Sequence, residues 1–303
     1  MIALSTSWNS TKLGIGPDIL YQIRDMGFES AELDDQISQE KFSQMLDILG
    51  REIQIVSIQN FFPFPDIFRK IQDIADISLS SLDKEKREMA VKLSLKTLET
   101  ADSIDTRAVV FRLGQLDIDD PYNELINLYR KDGKESIEYV SLLQKAKDVR
   151  KSNIGRYLDS IFFSLDKLAD RAESLGITIG IENCLSLSQI PNYDEIRIML
   201  GEFKGANMGY WHNTGYSYIH EKLDIAHQED ILKEFSDKMV GVYLSDVKDF
   251  KDSLVPGFGE IDFKNQSQFI SEKVIKVMKV DPESTQEEIC EGLSHLKSLS
   301  FAK

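Results

Sequence analysis

Short apolar segments alternate with amphipathic helical segments along almost the whole chain. Strand-type segments lie at positions 2–6, 30–33, 53–58, 107–113, 177–183, 208–211, 239–244 and 276–280. Helical spacing of apolar residues occupies positions 16–26, 38–49, 83–103, 154–175, 194–203, 222–236 and 285–299. About eight strand–helix alternations predict an α/β fold of the (β/α)8 TIM-barrel type. An open doubly wound sheet also alternates in this way, but no G-x-G-x-x-G motif follows the first strand, so dinucleotide binding has no support.

One stretch departs from the alternation. Residues 115–153 are densely charged, have helical apolar spacing and contain no strand-type segment. We interpret them as an insertion of one or two helices after the fourth strand, acting either as a lid or as a subunit contact in a homo-oligomer. Because a chain of 303 residues can form one large core, we predict a single domain over residues 1–303.

Charge and cysteine content narrow the function classes. The net charge is −15 and the sequence pI is about 4.8, which argues against binding to nucleic acids or to anionic membranes. No apolar run is long enough to span a bilayer, and the N-terminus has no cleavage-type segment. The two cysteines, Cys184 and Cys290, form neither a disulfide framework nor a metal-type pair. We therefore expect a reduced, cytoplasmic protein.

The segment ITIGIEN, at positions 177–183, is an apolar strand that ends in two polar residues, Glu182 and Asn183. In α/β folds the active-site residues lie at the carboxyl ends of the strands. The structural alternative is that Asn183 or Ser186 caps the next helix. In a barrel the strand exits converge on one face, and those predicted to meet are Glu32, Gln59, Arg112, Glu182, Asn213, Tyr243 and Lys279.

Several motifs carry a resemblance to a known family. In order they are TSWNS at 6, VSIQNFFP at 56, SSLDKEKREMAVK at 80, VVFRLG at 109, GIEN at 180, GYWHNTG at 209, VYLSDVKD at 242 and VPGFGEIDF at 255. Together they resemble the xylose isomerase-like TIM barrels, a superfamily of sugar isomerases and epimerases with an apurinic endonuclease branch. The resemblance covers nearly the whole chain and implies a sugar isomerase or epimerase fold.

The resemblance also implies where a divalent metal would bind. Relatives typically use a glutamate, an aspartate, a histidine and a second glutamate at four strand exits. The matching positions here are Glu182, Asn213, Tyr243 and Lys279. Protonated lysine offers no lone pair, and a tyrosine would have to ionise against a pKa near 10. We therefore expect no metal site and no cofactor.

Two interpretations of this altered site stay open. The structural one is an ion pair between Glu182 and Lys279, with Asn213 and Tyr243 hydrogen-bonded around it. The functional one is a cationic pocket formed by Lys279 and Arg112 for a carboxylate or phosphate ligand. Lys279 could also act as a base or Schiff-base amine if it were desolvated.

Other candidates lie nearby. His212 could reach a ligand, although a histidine beside a strand end is more often packed. His220, His227 and His295 are predicted at the surface. The aromatic group 61–64 either walls a pocket or fills the core.

Two functions from different classes follow. The first is a non-catalytic member that binds a small anionic, sugar-like molecule in the pocket of Gln59, Arg112 and the other exit residues. The second is an active isomerase or epimerase that is metal-independent or has an atypical site, with Glu182 and Lys279 as its catalytic residues. The first predicts no proton exchange into sugars, and the second predicts catalysis that disappears when Glu182 or Lys279 is changed to alanine.

Overall fold

Within the residues that the computed structural model describes, namely 1–68, 74, 77–299 and 301, eight parallel strands close into a barrel. The strands are β1 (Ala3–Ser5), β2 (Ser30–Leu33), β3 (Gln54–Gln59), β4 (Ala108–Phe111), β5 (Thr178–Glu182), β6 (Met208–Asn213), β7 (Met239–Leu244) and β8 (Ile275–Met278). Each strand pairs in parallel with its neighbours in chain order, and β8 pairs with β1. The predicted (β/α)8 barrel is therefore confirmed.

Helices surround the barrel. They are α1 (Gly16–Asp25), α2 (Gln39–Met45), α3 (Lys84–Ser103), α4 (Tyr122–Asp132), α5 (Ile137–Leu175), α6 (Tyr193–Glu202), α7 (Thr214–Lys222), α8 (Gln228–Phe235), α9 (Phe263–Gln266) and α10 (Gln286–Ser298). None of these described helices is long and apolar enough to cross a membrane. Part of the loop predicted from Phe61 to about Leu82, at residues 69–73 and 75–76, lies outside the described residues.

The segment predicted as an insertion is helical, but its predicted end at residue 153 is wrong. Helix α5 runs for 39 residues without a break, so the inserted turns continue directly into the helix that precedes β5. Ser136 caps the start of α5 by accepting a hydrogen bond from the backbone N–H of Tyr139. Gly176 ends it in a left-handed conformation with φ 66°, which a residue without a Cβ adopts most easily.

The interior of the barrel contains a small apolar layer below the strand exits. It includes Trp211, Tyr243 and Val277. The rings of Trp211 and Tyr243 lie 5.3 Å apart. The indole lies against Gly180 and Gly241 on the neighbouring strands, and a Cβ at Gly180 would come within 2.6 Å of it. These glycines make room for the side chain that supports the polar groups above it.

Candidate functional site

Glu182 lies at the end of β5 and is buried at 1% exposure. The Asn213 side chain donates to Glu182 Oε1 at 2.9 Å, and the Nε of Arg112 lies 3.3 Å from Oε2. Arg112 is half exposed, so this ion pair joins a buried carboxylate to a cation at the barrel mouth. The predicted pair between Glu182 and Lys279 is therefore wrong. Arg112 follows β4, which is hydrogen-bonded to β5, whereas Lys279 follows β8 elsewhere in the ring.

Lys279 instead contacts Gln59 and Tyr243. Its Nζ donates to Gln59 Oε1 at 3.4 Å and lies 4.2 Å from the centre of the Tyr243 ring. Arg112 also donates to Gln59 Oε1, at 3.2 Å. Two cationic side chains thus converge on one neutral amide oxygen. The predicted proximity of Gln59, Arg112 and Lys279 is confirmed, and their role in binding stays a prediction.

Glu32 is a second buried carboxyl group in this site. Its Oε1 accepts hydrogen bonds from Ser5 at 3.0 Å and Gln59 at 2.7 Å. Its Oε2 accepts from Ser57 at 2.8 Å and Tyr243 at 2.9 Å. Burial raises the pKa of Glu32, while Lys279 and the donors Gln59, Ser57 and Tyr243 act in the opposite direction. The sequence predicts that Glu32 lies at a strand exit, but it does not assign Glu32 a role. The signal that could have assigned one is the short polar side chains on β1 and β3, the strands on either side of β2.

Tyr243 and Asn213 both have structural partners. Burial raises the pKa of Tyr243 well above its usual value, with Glu32 adding to the effect, so the phenol stays protonated and donates to Glu32. Tyr243 was predicted to hydrogen-bond around a Glu182–Lys279 pair, and its observed hydroxyl partner differs. Asn213 Oδ1 accepts from the Tyr216 backbone N–H and caps α7.

The four positions implied to hold a metal do not offer a matching donor set. Asn213 donates to Glu182 through its amide nitrogen, Tyr243 donates to Glu32, and Lys279 carries donors only. Hard divalent cations prefer carboxylate and carbonyl oxygens. The described part of the chain contains no group of three or more histidine, cysteine, aspartate or glutamate side chains that could hold a metal ion.

His212 does not reach this site, contrary to its prediction as a ligand-binding residue. Side chains alternate along a strand, and Trp211 occupies the barrel interior, so His212 projects toward the helical layer. It is fully buried there. Its Nδ1 lies 2.8 Å from the Tyr210 hydroxyl, and Tyr210 packs on Phe235 of α8. Burial lowers the pKa of His212 to about 3, so the imidazole is neutral.

Two further expectations about polar residues are wrong. Neither Asn183 nor Ser186 caps α6, because Asn192 and Glu195 form a reciprocal capping box there. Asn183 instead accepts a hydrogen bond from the backbone N–H of Asn213 at 2.7 Å. His220 was predicted at the surface, but it is buried at 5% exposure, with Nε2 2.7 Å from the carbonyl oxygen of Leu185.

Asp246 organises the glycine-bearing loop beside the site. This residue follows β7 and is buried at 1% exposure. It accepts hydrogen bonds from four backbone N–H groups, those of Val247, Gly257, Gly259 and Ile261, at 2.8–3.0 Å. The sequence motifs did not assign Asp246 a role. The clue to its role was the pair of glycines 11 and 13 positions later, which bring the backbone close to the carboxylate.

The aromatic residues Phe61 and Phe62 after β3 follow one of the two predicted fates, which is packing in the core. Phe62 is buried at 1% exposure and meets the Phe42 ring edge-on, with ring centres 5.0 Å apart. It belongs to the core. Phe61 is partly buried and packs against the same core.

Comparison with known proteins agrees with this architecture. The family model described as "Xylose isomerase-like TIM barrel" matches residues 20–299. No curated protein sequence matches the chain. Among solved structures, the apo 3-keto-D-glucoside 4-epimerase YcjR from E. coli has a TM-score of 0.67 at 14% identity, covering 98% of both chains.

Two other structures are similar to the same degree. A D-tagatose 3-epimerase-like protein has a TM-score of 0.67 at 16% identity, covering 99% of this chain and 96% of its own. A D-psicose 3-epimerase crystallised in the presence of D-fructose has a TM-score of 0.67 at 12% identity, covering 99% of each chain. At such low identity these structures support the fold, and the family match covers most of the chain. The chain therefore belongs to the xylose isomerase-like TIM-barrel family.

Proposed function

We propose that this protein is a sugar isomerase/epimerase-like barrel that binds a small anionic, sugar-like molecule without the family's divalent metal and without its usual catalysis. The observation that carries the proposal is the convergence of Arg112 and Lys279 on the single oxygen Oε1 of Gln59. Because this shared partner is a neutral amide, it does not neutralise either charge, and Glu182 offsets the charge of Arg112 from the other side.

The hydrogen bonds already made by Arg112 leave part of its guanidinium group open. The group uses Nε toward Glu182 and one terminal nitrogen toward Gln59, and half of the side chain is exposed. A guanidinium group binds carboxylate or phosphate through two parallel hydrogen bonds. The open edge of Arg112 suits such a contact, and Lys279 adds a nearby charge.

The balance of charge supports the absence of a metal. Glu182 lies beside Arg112, and Lys279 acts electrostatically on Glu32, whose protonated form is favoured by burial. A divalent cation at this place would meet two resident cations and too few anionic donors. The side chains thus supply positive charge where relatives would bind a metal.

Binding of a sugar acid tests the proposal. Isothermal calorimetry with D-gluconate is compared with D-glucose, which lacks the anion, and with inorganic phosphate. We expect saturable binding of an anion, and we expect Arg112→Gln or Lys279→Gln to weaken it by about 10- to 100-fold, since charge-assisted hydrogen bonds contribute about 1.5–3 kcal/mol. Lys248→Gln is the matched control, because Lys248 is exposed and follows β7. Equal affinity in all four proteins would contradict the proposal.

Metal dependence is measured separately. The purified protein is analysed for its elemental metal content and titrated with Mn²⁺, Zn²⁺, Co²⁺ and Mg²⁺ while its thermal midpoint is recorded. We expect no stoichiometric metal and no saturable stabilisation. A bound metal ion, or a large saturable increase in the midpoint, would contradict the metal-free assignment. The protein should then be assayed as an epimerase.

The second candidate function is an active metal-independent or atypical sugar isomerase or epimerase. The observation that favours it is the presence of two buried carboxyl groups, Glu32 and Glu182, since proton abstraction beside a carbonyl requires an acid and a base. Incorporation of deuterium from D₂O into D-fructose or D-tagatose would support it. That incorporation must then disappear in Glu182→Ala and in Lys279→Ala.

A further inference from the structure

A groove lies outside the barrel between α5, α6 and α8, and we call it the α5–α6 groove. Its volume is about 690 Å³, within the range of about 300–1,000 Å³ that is usual for small-molecule sites. Apolar side chains from all three helices line it, among them Ile154, Leu158, Ile198 and Ile231. None of the residues assigned to the barrel-mouth site lines this second concave surface.

The floor of the groove is built from buried charged groups that are already satisfied. Arg150 is buried at 4% exposure and forms a two-point ion pair with Glu195, at 3.0 and 2.6 Å. The same guanidinium donates to the backbone carbonyls of Leu187 and Gln189. These bonds fix the loop after β5 against α5, so the groove is preformed. The charges of Arg150 and Glu195 in its floor neutralise each other.

Charge on the walls is uneven. Arg197 pairs with Asp194 at 2.6 Å. On the α5 wall, Lys151 is exposed, and Lys147 bonds only to the uncharged carbonyl of Asp224, at 3.1 Å, among the contacts described for it. Asp230 lies across the groove on α8. The α5 wall is therefore positive, in a protein whose net charge is −15.

We propose that the α5–α6 groove binds a small amphipathic monoanion, with its apolar body on Leu158 and Ile198 and its anionic group on Lys147 and Lys151. Both lysines precede residue 154, in the part of α5 that the sequence marked as an insertion. The inserted helical turns thus supply the charged wall of a second ligand site whose lining includes none of the residues assigned to the barrel mouth.

Competition among three eight-carbon compounds tests both features of this ligand. The probe is 8-anilinonaphthalene-1-sulfonate, an apolar monoanion that becomes fluorescent in apolar surroundings. We expect one saturable site from which octanoate displaces the probe best, octanol less well, and octylamine least. Absence of saturable binding, or equal competition by all three compounds, would overturn the proposal.

Variants then locate the site. Lys151→Gln is expected to weaken octanoate at least threefold without affecting octanol, and Leu158→Trp, which fills the groove, is expected to remove both. Lys145→Gln is the matched control, since Lys145 is exposed on α5 and does not line the α5–α6 groove.

The variant Arg112→Gln tests whether the compounds bind at the barrel mouth instead. If Arg112→Gln abolishes octanoate binding, or Lys151→Gln behaves like Lys145→Gln, the assignment is wrong. Lys151→Gln changes only an exposed side chain, so that comparison holds even if Leu158→Trp fails to fold.

Discussion

Acidification should destabilise this protein through a histidine that the sequence assigned to the ligand site. His212 is fully buried, and burial lowers its pKa from 6.5 to about 3. Between these two values the unfolded chain binds the proton and the folded protein does not. The contribution of His212 to stability is therefore fully present above pH 6.5 and is lost as the pH falls below it.

The size of the effect follows from the two pKa values. At pH 5 almost all unfolded chains carry the proton on this imidazole, whereas the folded protein stays neutral. The linkage relation gives a loss of about 2 kcal/mol in the free energy of unfolding between pH 7.5 and pH 5. That is a large share of the marginal stability of an ordinary protein.

The assay is urea unfolding of the wild type and of His212→Asn at pH 7.5 and pH 5. Asparagine keeps an acceptor near the position of Nδ1 for the Tyr210 hydroxyl but does not titrate. We expect the variant to lose about 2 kcal/mol less than the wild type between the two pH values. The other buried histidine, His220, is present in both proteins and cancels. His227→Gln, at an exposed position, is the control and should keep the wild-type difference.

Equal losses in wild type and His212→Asn would refute the placement of His212 in the helical layer. Gluconate affinity gives an independent measure. It should be the same in both proteins, because His212 projects away from Arg112 and Lys279. A selective loss of gluconate binding in the variant would return His212 to the ligand site.

Three other outcomes are expected. Asp246→Ala leaves four backbone N–H groups without their acceptor and should lower the unfolding free energy by about 3 kcal/mol or more in urea titrations, with a smaller loss for Asp246→Asn. Gly180→Ala should cost about 1–3 kcal/mol by thermal unfolding, because the new methyl group meets the Trp211 indole. Burial, with Asp35 adding to it, raises the pKa of Asp34 to about 6. The wild type should therefore lose about 2 kcal/mol relative to Asp34→Asn as the pH rises from 4 to 7, and a constant difference would contradict this.

The barrel could be predicted because its signal is local and repeated. Buried parallel strands are apolar along their length, and β7 has the bounds, Met239–Leu244, that the sequence indicated. The end of the insertion could not be found in the same way. A change in composition near Asn153 suggested a boundary. Ser152, Asn153 and Gly155 do weaken helix formation there, yet tertiary packing carries α5 through them.

The sequence pattern did not predict helix α7, because the residue that begins it was assigned to the ligand site. The resemblance assigns Asn213 to the ligand site, and the sequence pattern predicts no helix between the strand at 208–211 and the helix at 222–236. Its side chain also begins a helix by accepting the Tyr216 N–H, as asparagine commonly does. Asn213 performs both tasks, because its oxygen caps the helix while its nitrogen donates to Glu182.

The partner of Glu182 depends on the order of the strands in the barrel, which the sequence pattern already predicts. In a barrel wound in chain order, β4 is adjacent to β5, and β8 closes onto β1. Arg112 therefore reaches Glu182, and Lys279 comes under the influence of Glu32. The position of a residue around the ring, and not the role of its counterpart in relatives, therefore determines its partner.

Gln59 connects the two halves of this arrangement. Its amide nitrogen donates to Glu32 and its oxygen accepts from both cations. The orientation of the amide is set by Glu32, since a flipped amide would place an oxygen against a carboxylate. A neutral histidine at this position could donate to Glu32, but its other ring nitrogen has a single lone pair and could not accept from both cations. The glutamine therefore lets one buried carboxyl group orient a neutral acceptor that the two positive charges share.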